Sequence, residues 1–95
     1  METKGYEIRP GADLAGADLI DADLRSVDLS NAHLAGAVMS SADLSDACLI
    51  GADLRYAICH RTILADADLH HANLWNIDLT DARAEGAVLS RCRMG

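Results

Sequence analysis

Residues 12–31 read ADLAG ADLID ADLRS VDLSN, and the five-residue phase set there continues without insertion or deletion to Met94. Call the Leu position i: of its seventeen occurrences from residue 14 to residue 94, thirteen are Leu, the others being Met39, Cys59, Ala84 and Met94. Position i−2 holds thirteen Ala, with Val27, Thr62, Ile77 and Cys92 as the departures. A fixed short period overrides local propensity, because each repeat buries its apolar side only against the next. Period five suits neither regular structure. On an α-helix successive Leu would rotate by about 140° and define no face. On one unbroken strand an odd period would send alternate Leu to opposite faces. Within a repeat, however, i−2 and i share one side of a short extended segment, and a corner after each segment restores the inward direction. Positions i+1 and i+2 supply corner residues such as Gly16, Asp21, Ser26, Asn31 and Gly36. The chain must therefore coil, with small Ala near the corners and Leu filling the centre.

The repeat A(D/N)LxX resembles that of the pentapeptide-repeat family over seventeen consecutive repeats. The resemblance implies an all-β fold, a right-handed quadrilateral β-helix of about four coils, with i and i−2 inside and i−1, i+1 and i+2 outside. The organisation expected is an N-terminal cap segment, 1–11, followed by the β-helix, 12–95. In the cap, Tyr6 and Ile8 alternate as in a strand before Pro10. A first coil left bare would expose core and backbone ladder, which such a cap covers.

Composition narrows the class. With 95 residues there is one domain, near the size at which core burial is marginal. The hydrophobic content of 51% comes mostly from Ala and Leu, with 3% aromatic residues, as a narrow aliphatic interior requires. Three cysteines, with no apolar leader in METKGYEI, point to a reducing, cytoplasmic setting. Cys59 at i and Cys92 at i−2 read as core residues and Cys48 at i−1 as exposed. Apolar runs last only a few residues, too short to span a membrane. His33, His60, His70 and His71 do not converge: His60 and His70 fall on opposite sides of a square coil, and adjacent His70 and His71 are expected to point apart. No residue set presents a catalytic constellation, a cofactor motif or a metal spacing, so the chain reads as a non-enzyme.

The surface offers three candidate regions. Asp13, Asp18, Asp23 and Asp28 hold i−1 on all four sides of the first coil, and Asp43 follows in the second. They either satisfy corner amides or present a field of negative charge. Residues twenty apart should stack, so Val38 adjoins Ile58, with Ile63 around the next corner, and Trp75 lies over Arg55 beside Tyr56. That predicts either a cation–π pair of Arg55 and Trp75 or a protein-binding cluster of the two with Tyr56. Towards the C-terminus Ala84 replaces Leu, and Leu89, Cys92 and Met94 mark a candidate dimer end, hence a homodimer through the C-terminal coil. Residues 1–54 carry net −7 and residues 55–95 net zero, which disfavours direct contact with nucleic-acid phosphates. The function expected is a non-catalytic scaffold that binds a protein partner. The resemblance supplies the alternative, a DNA mimic that binds DNA gyrase as the family's fluoroquinolone-resistance members do.

Overall fold

Each five-residue repeat folds as one short side and one corner. On the side, residue i−1 pairs in parallel with the residue twenty positions on: Asp13 with His33, His33 with Asp53, Asp53 with Asn73 and Asn73 with Arg93, and likewise on the other three sides. Two hydrogen bonds flank each pair. The His33 N–H donates to the Ala12 carbonyl at 2.8 Å, and the Leu14 N–H donates to the His33 carbonyl at 2.7 Å. At the corner the N–H of the next Ala donates back to the Leu carbonyl, as from Ala17 to Leu14 at 3.0 Å. Residue i+2 has positive φ at every corner from Gly11 to Arg91, the conformation that the third residue of a type II turn requires. The computed structural model describes residues 1–94, which form a quadrilateral β-helix with coils at 12–31, 32–51, 52–71 and 72–91.

The period thus becomes four interior columns. Leu14, Leu34, Leu54 and Leu74 stack in one, and Leu24, Leu44 and Leu64 in another, all buried. Two exceptions to the Leu/Ala rule are accommodated by chemistry rather than size. Thr62, buried at an Ala position, donates its hydroxyl to the Met39 carbonyl at 2.7 Å, so no polar atom is stranded. Cys59, buried at a Leu position, has its thiol pushed up to about 12 by burial, which leaves it inert. Cys92 is half-buried, and Cys48, expected outside, is also half-covered.

The cap is a hairpin. Strand β1 (Glu2–Thr3) pairs antiparallel with β2 (Tyr6–Glu7) around Lys4 and Gly5, both at positive φ as a two-residue I′ turn demands. Sequence reasoning expected only the second strand. Ile8 is buried against the first coil, while the Tyr6 hydroxyl accepts from the Asp18 N–H at 3.4 Å and Lys4 Nζ donates to the Ile20 carbonyl at 2.8 Å. One end of the ladder is thereby covered.

The opposite end is open. Leu79, Leu89 and Met94 are 36%, 46% and 62% exposed, and a wholly apolar cavity of about 50 Å³ reaches inward between Leu64, Leu69, Ala84 and Leu89. Among the described residues no helix is long and apolar enough to cross a membrane.

Candidate partner-binding surface

The outward carboxylates have structural employment first. Each of the eight Asp at i−1 accepts a hydrogen bond from the backbone N–H two residues on: Asp13 from Ala15, Asp18 from Ile20, Asp23 from Arg25 and Asp28 from Ser30, then Asp43, Asp53, Asp68 and Asp78 from their own corners. Asn73 does the same for Trp75. The corner N–H at i+1 has no partner in the ladder, and this Asx motif satisfies it. Side-chain partners at i+1, together with these amides, hold several carboxyls below their ordinary range. Asp23 is drawn down to about 2, first by the Arg25 side chain and then by the Arg25 amide; Asp78 is drawn to about 2 by the Thr80 hydroxyl and then by His60.

Nor is the acidic field continuous. Asp18 is paired with Lys4 at 3.5 Å, and Asp23 binds Arg25 through both oxygens at 2.8 and 2.9 Å. Asp23 and Asp43 are ladder partners, and the positive charge of Arg25 acts on both. Asp13 is followed on its side by His33, and Asp18 by Val38 and Ile58.

At the corner after Leu54 and Leu74 the structure differs from the stacking expectation. Arg55 lies beneath Trp75 in sequence register, yet its guanidinium turns to Asp53, with Nε and Nη2 bound at 2.8 and 2.7 Å. A charge-assisted fork within one repeat outweighs a surface cation–π contact of about 0.5–1 kcal/mol. Trp75 instead stands edge-to-face with Tyr56, ring centroids 5.4 Å apart and planes at 84°. The two rings are 45% and 55% exposed. Val38 and Ile58 are ladder partners on the adjoining side, as the twenty-residue rule requires, and Ile63 lies half-buried around the next corner between Asp43 and Arg83. Ile20, exposed on the Val38 side, is a further apolar member that sequence reasoning passed over. Its place at i+1, among mostly small or polar residues, was the available signal.

The histidines need a second correction. His70 and His71 pack edge-to-face at 4.2 Å, because a corner brings i+1 and i+2 together rather than apart. His60 Nε2 lies 2.6 Å from an Asp78 oxygen one coil on. Among the described residues no three His, Cys, Asp or Glu are grouped to hold a metal ion.

Leu89, Cys92 and Met94 lie at the open end. Leu89 and Met94 are exposed, whereas Cys92 donates its thiol to the Leu69 carbonyl at 2.9 Å. That contact occupies the position Thr62 takes on Met39 and makes Cys92 part of the wall rather than the end surface.

Comparison with known proteins agrees with this geometry. The family model described as pentapeptide repeats matches in 8 copies over residues 17–55 and 62–95. A search of curated protein sequences returned no match. Among solved structures, a pentapeptide repeat protein from Nostoc PCC 7120 is 40% identical with a TM-score of 0.77, over 79% of this chain and 62% of that one. HetL, a pentapeptide repeat protein involved in heterocyst differentiation regulation in Nostoc sp. strain PCC 7120, is 40% identical with a TM-score of 0.58, over 84% of this chain and 39% of its own. A pentapeptide repeat protein of the Arabidopsis thaliana thylakoid lumen is 28% identical with a TM-score of 0.56, over 82% and 58%. The chain therefore spans less than two thirds of the length of these relatives. Their likeness also assigns the hand of the coil, which is right-handed. A coil of twenty residues with Leu and Ala inside, matched by family model and by solved β-helices alike, makes this chain a member of the pentapeptide-repeat family.

Proposed function

We propose that this chain is a non-catalytic scaffold in the cytoplasm that binds a protein partner through the corner carrying Tyr56 and Trp75 and the adjoining Val38 and Ile58. The observation that carries this reading is the exposed edge-to-face pair. Both large aromatic rings lie outside a core built of Ala and Leu, next to exposed Ile58. Aromatic residues in such clusters supply a large share of interface energy, and truncating an anchor costs about 2 kcal/mol or more. HetL, a relative in fold, is involved in a regulatory process, as a partner-binding scaffold would be.

The gyrase-binding DNA mimic is the weaker reading. Duplex DNA carries one charge per roughly 1.7 Å, so a stack about 20 Å tall would need on the order of twelve negative charges. The net charge is −7, and Lys4 and Arg25 neutralise part of the acidic coil.

The test combines affinity capture with a topoisomerase assay. A captured partner should bind roughly thirtyfold more weakly to the Tyr56→Ala, Trp75→Ala double variant and unchanged to Asp23→Asn. Retention by the aromatic variant would overturn the assignment of this corner. Potent, salt-sensitive inhibition of purified gyrase, lost when Asp23 and Asp43 become Asn, would reverse the order of the two readings.

A further inference from the structure

The outer corner that carries Tyr56 and Trp75 is bulky in its upper half and bare in its lower half. Gly16 bonds to Ala35, Gly36 to Arg55 and Tyr56 to Trp75 through N–H to carbonyl contacts of 2.8–3.0 Å, so these residues form one column of corners along the wall. Its first two coils present only Ala15, Gly16, Ala35 and Gly36. A Cβ at Gly16 or Gly36 would meet no heavy atom within 4 Å, so the strip below the rings is open. The edge-to-face pair therefore stands as a ledge at one end of a smooth track about 10 Å long, two coils at about 4.8 Å each. Along one margin of the track lie the ladder partners Val38 and Ile58, and along the other Asp13, His33 and Asp53.

Charge selects what such a track can hold. Arg55, the cation nearest the rings in register, is bound to Asp53 through two contacts of 2.8 and 2.7 Å, so among the described residues the exposed ring surfaces have no cation of the chain's own. Of the carboxylates beside the corner, Asp18, Asp53 and Asp78 are bound to Lys4, Arg55 and His60. Asp13 accepts only the Ala15 N–H, at 3.4 Å, and among the described residues forms no ion pair. An aromatic face attracts a cation, an uncompensated carboxylate does the same, and the aliphatic pair Val38 and Ile58 lies between them. The corner is thus complementary to a segment with positive charge at both ends and an apolar middle. Spacing fixes its length. Trp75 and Asp13 lie three coils apart, about 14 Å, and an extended chain covers that distance in four residues, with its first, third and fifth side chains on one face.

We infer that the corner takes an extended basic segment of its protein partner, with one arginine on the Tyr56 and Trp75 rings, an aliphatic side chain two residues on against Val38 and Ile58, and a second arginine, four residues from the first, on Asp13. This rests on the reading of the corner as the partner-binding surface and adds the chemistry of what binds there. Trp75 is the only tryptophan of the sequence, so its fluorescence reports occupancy directly. The probes are three end-blocked peptides: Arg-Gly-Leu-Gly-Arg, Arg-Leu-Arg and Glu-Gly-Leu-Gly-Glu. The first should give a saturable change with a dissociation constant below about 1 mM, the second should bind at least about twofold more weakly, and the third should not saturate. Asp13→Asn keeps an acceptor for the Ala15 amide, as Asn73 does for Trp75, and removes only the charge. It should weaken the long arginine peptide about two- to fivefold and leave Arg-Leu-Arg unchanged. Tyr56→Ala should weaken both by about threefold or more, and Asp23→Asn, on another side of the coil and already bound to Arg25, should weaken neither. No response to any peptide, a preference for the glutamate peptide, equal binding of the two arginine spacings, or an Asp13→Asn chain that binds the long peptide undiminished would each overturn the inference. Those results leave the corner itself in place as long as a captured protein still requires Tyr56 and Trp75; a captured protein indifferent to both rings would overturn the two proposals together.

Discussion

Leu44 and Ser45 are neighbours in sequence and opposites in environment, one fully buried in the column of Leu24 and Leu64, the other part of the outer corner. Leu44→Asp removes packing worth about 2–5 kcal/mol and adds an unpaired buried charge, so the variant should be unfolded at room temperature. Ser45→Asp should shift the melting temperature by only a few degrees, both read by circular dichroism. Corner position i+2 holds strain of another kind. Arg61 has φ 58, a left-handed conformation that costs a long side chain roughly 1 kcal/mol and that Asn adopts more readily. Arg61→Asn should therefore stabilise the chain by about 0.5–1 kcal/mol, measured by denaturant titration. At Gly51 a Cβ would in addition press on the Asn31 amide of the coil below, which would have to swing aside.

The side-and-corner unit is the element of this fold, and its weak point in acid is the carboxylate at i−1, bound to the side chain or the amide of its own corner. Asp18, Asp23, Asp28, Asp43, Asp53 and Asp78 all have lowered pKa values in the folded chain. A depressed carboxyl contributes stability that is complete above its unfolded pKa, near 3.9, and lost as pH falls through the folded value. For Asp23 and Asp78 that lower limit is about 2. Chemical denaturation should thus show a progressive loss of stability between about pH 4 and pH 2. Unchanged stability at pH 2 would show that the hydrogen bonds of these carboxylates contribute nothing net.

At the scale of the molecule, stability is close to a sum over coils, since each coil touches only its neighbours. Deleting residues 42–61 joins Ser41 to Thr62, which occupies the same column position as Ala42, so every column keeps its register. That variant should keep the β-type spectrum and melt cooperatively at lower temperature, whereas deleting only residues 45–47 should abolish folding by breaking the phase. A helical spectrum, or tolerance of the three-residue deletion, would contradict the columnar core. The longer deletion also removes Tyr56 and Ile58 and should eliminate partner capture.

The five-residue period alone determined that the chain coils and which residues face inward, because burial of i−2 and i admits no other path; four repeats per coil, and so stacking at twenty residues, followed from the resemblance to pentapeptide repeats. Leu24, Leu44 and Leu64, and Val38 beside Ile58, were legible for that reason. Asp at i−1 was also legible as a corner acceptor, since its reach is local. What the period left open were choices between outward side chains, where several partners of similar energy compete. Arg55 could stack on Trp75 or bind Asp53, and only the positions of three side chains in space gave it to Asp53 and left Trp75 to Tyr56. His70 and His71 met because the backbone at that corner brings their rings together. Glu2 and Thr3 became a strand because Lys4 and Gly5 turned the chain back, a pairing that a repeat pattern beginning at Ala12 does not contain.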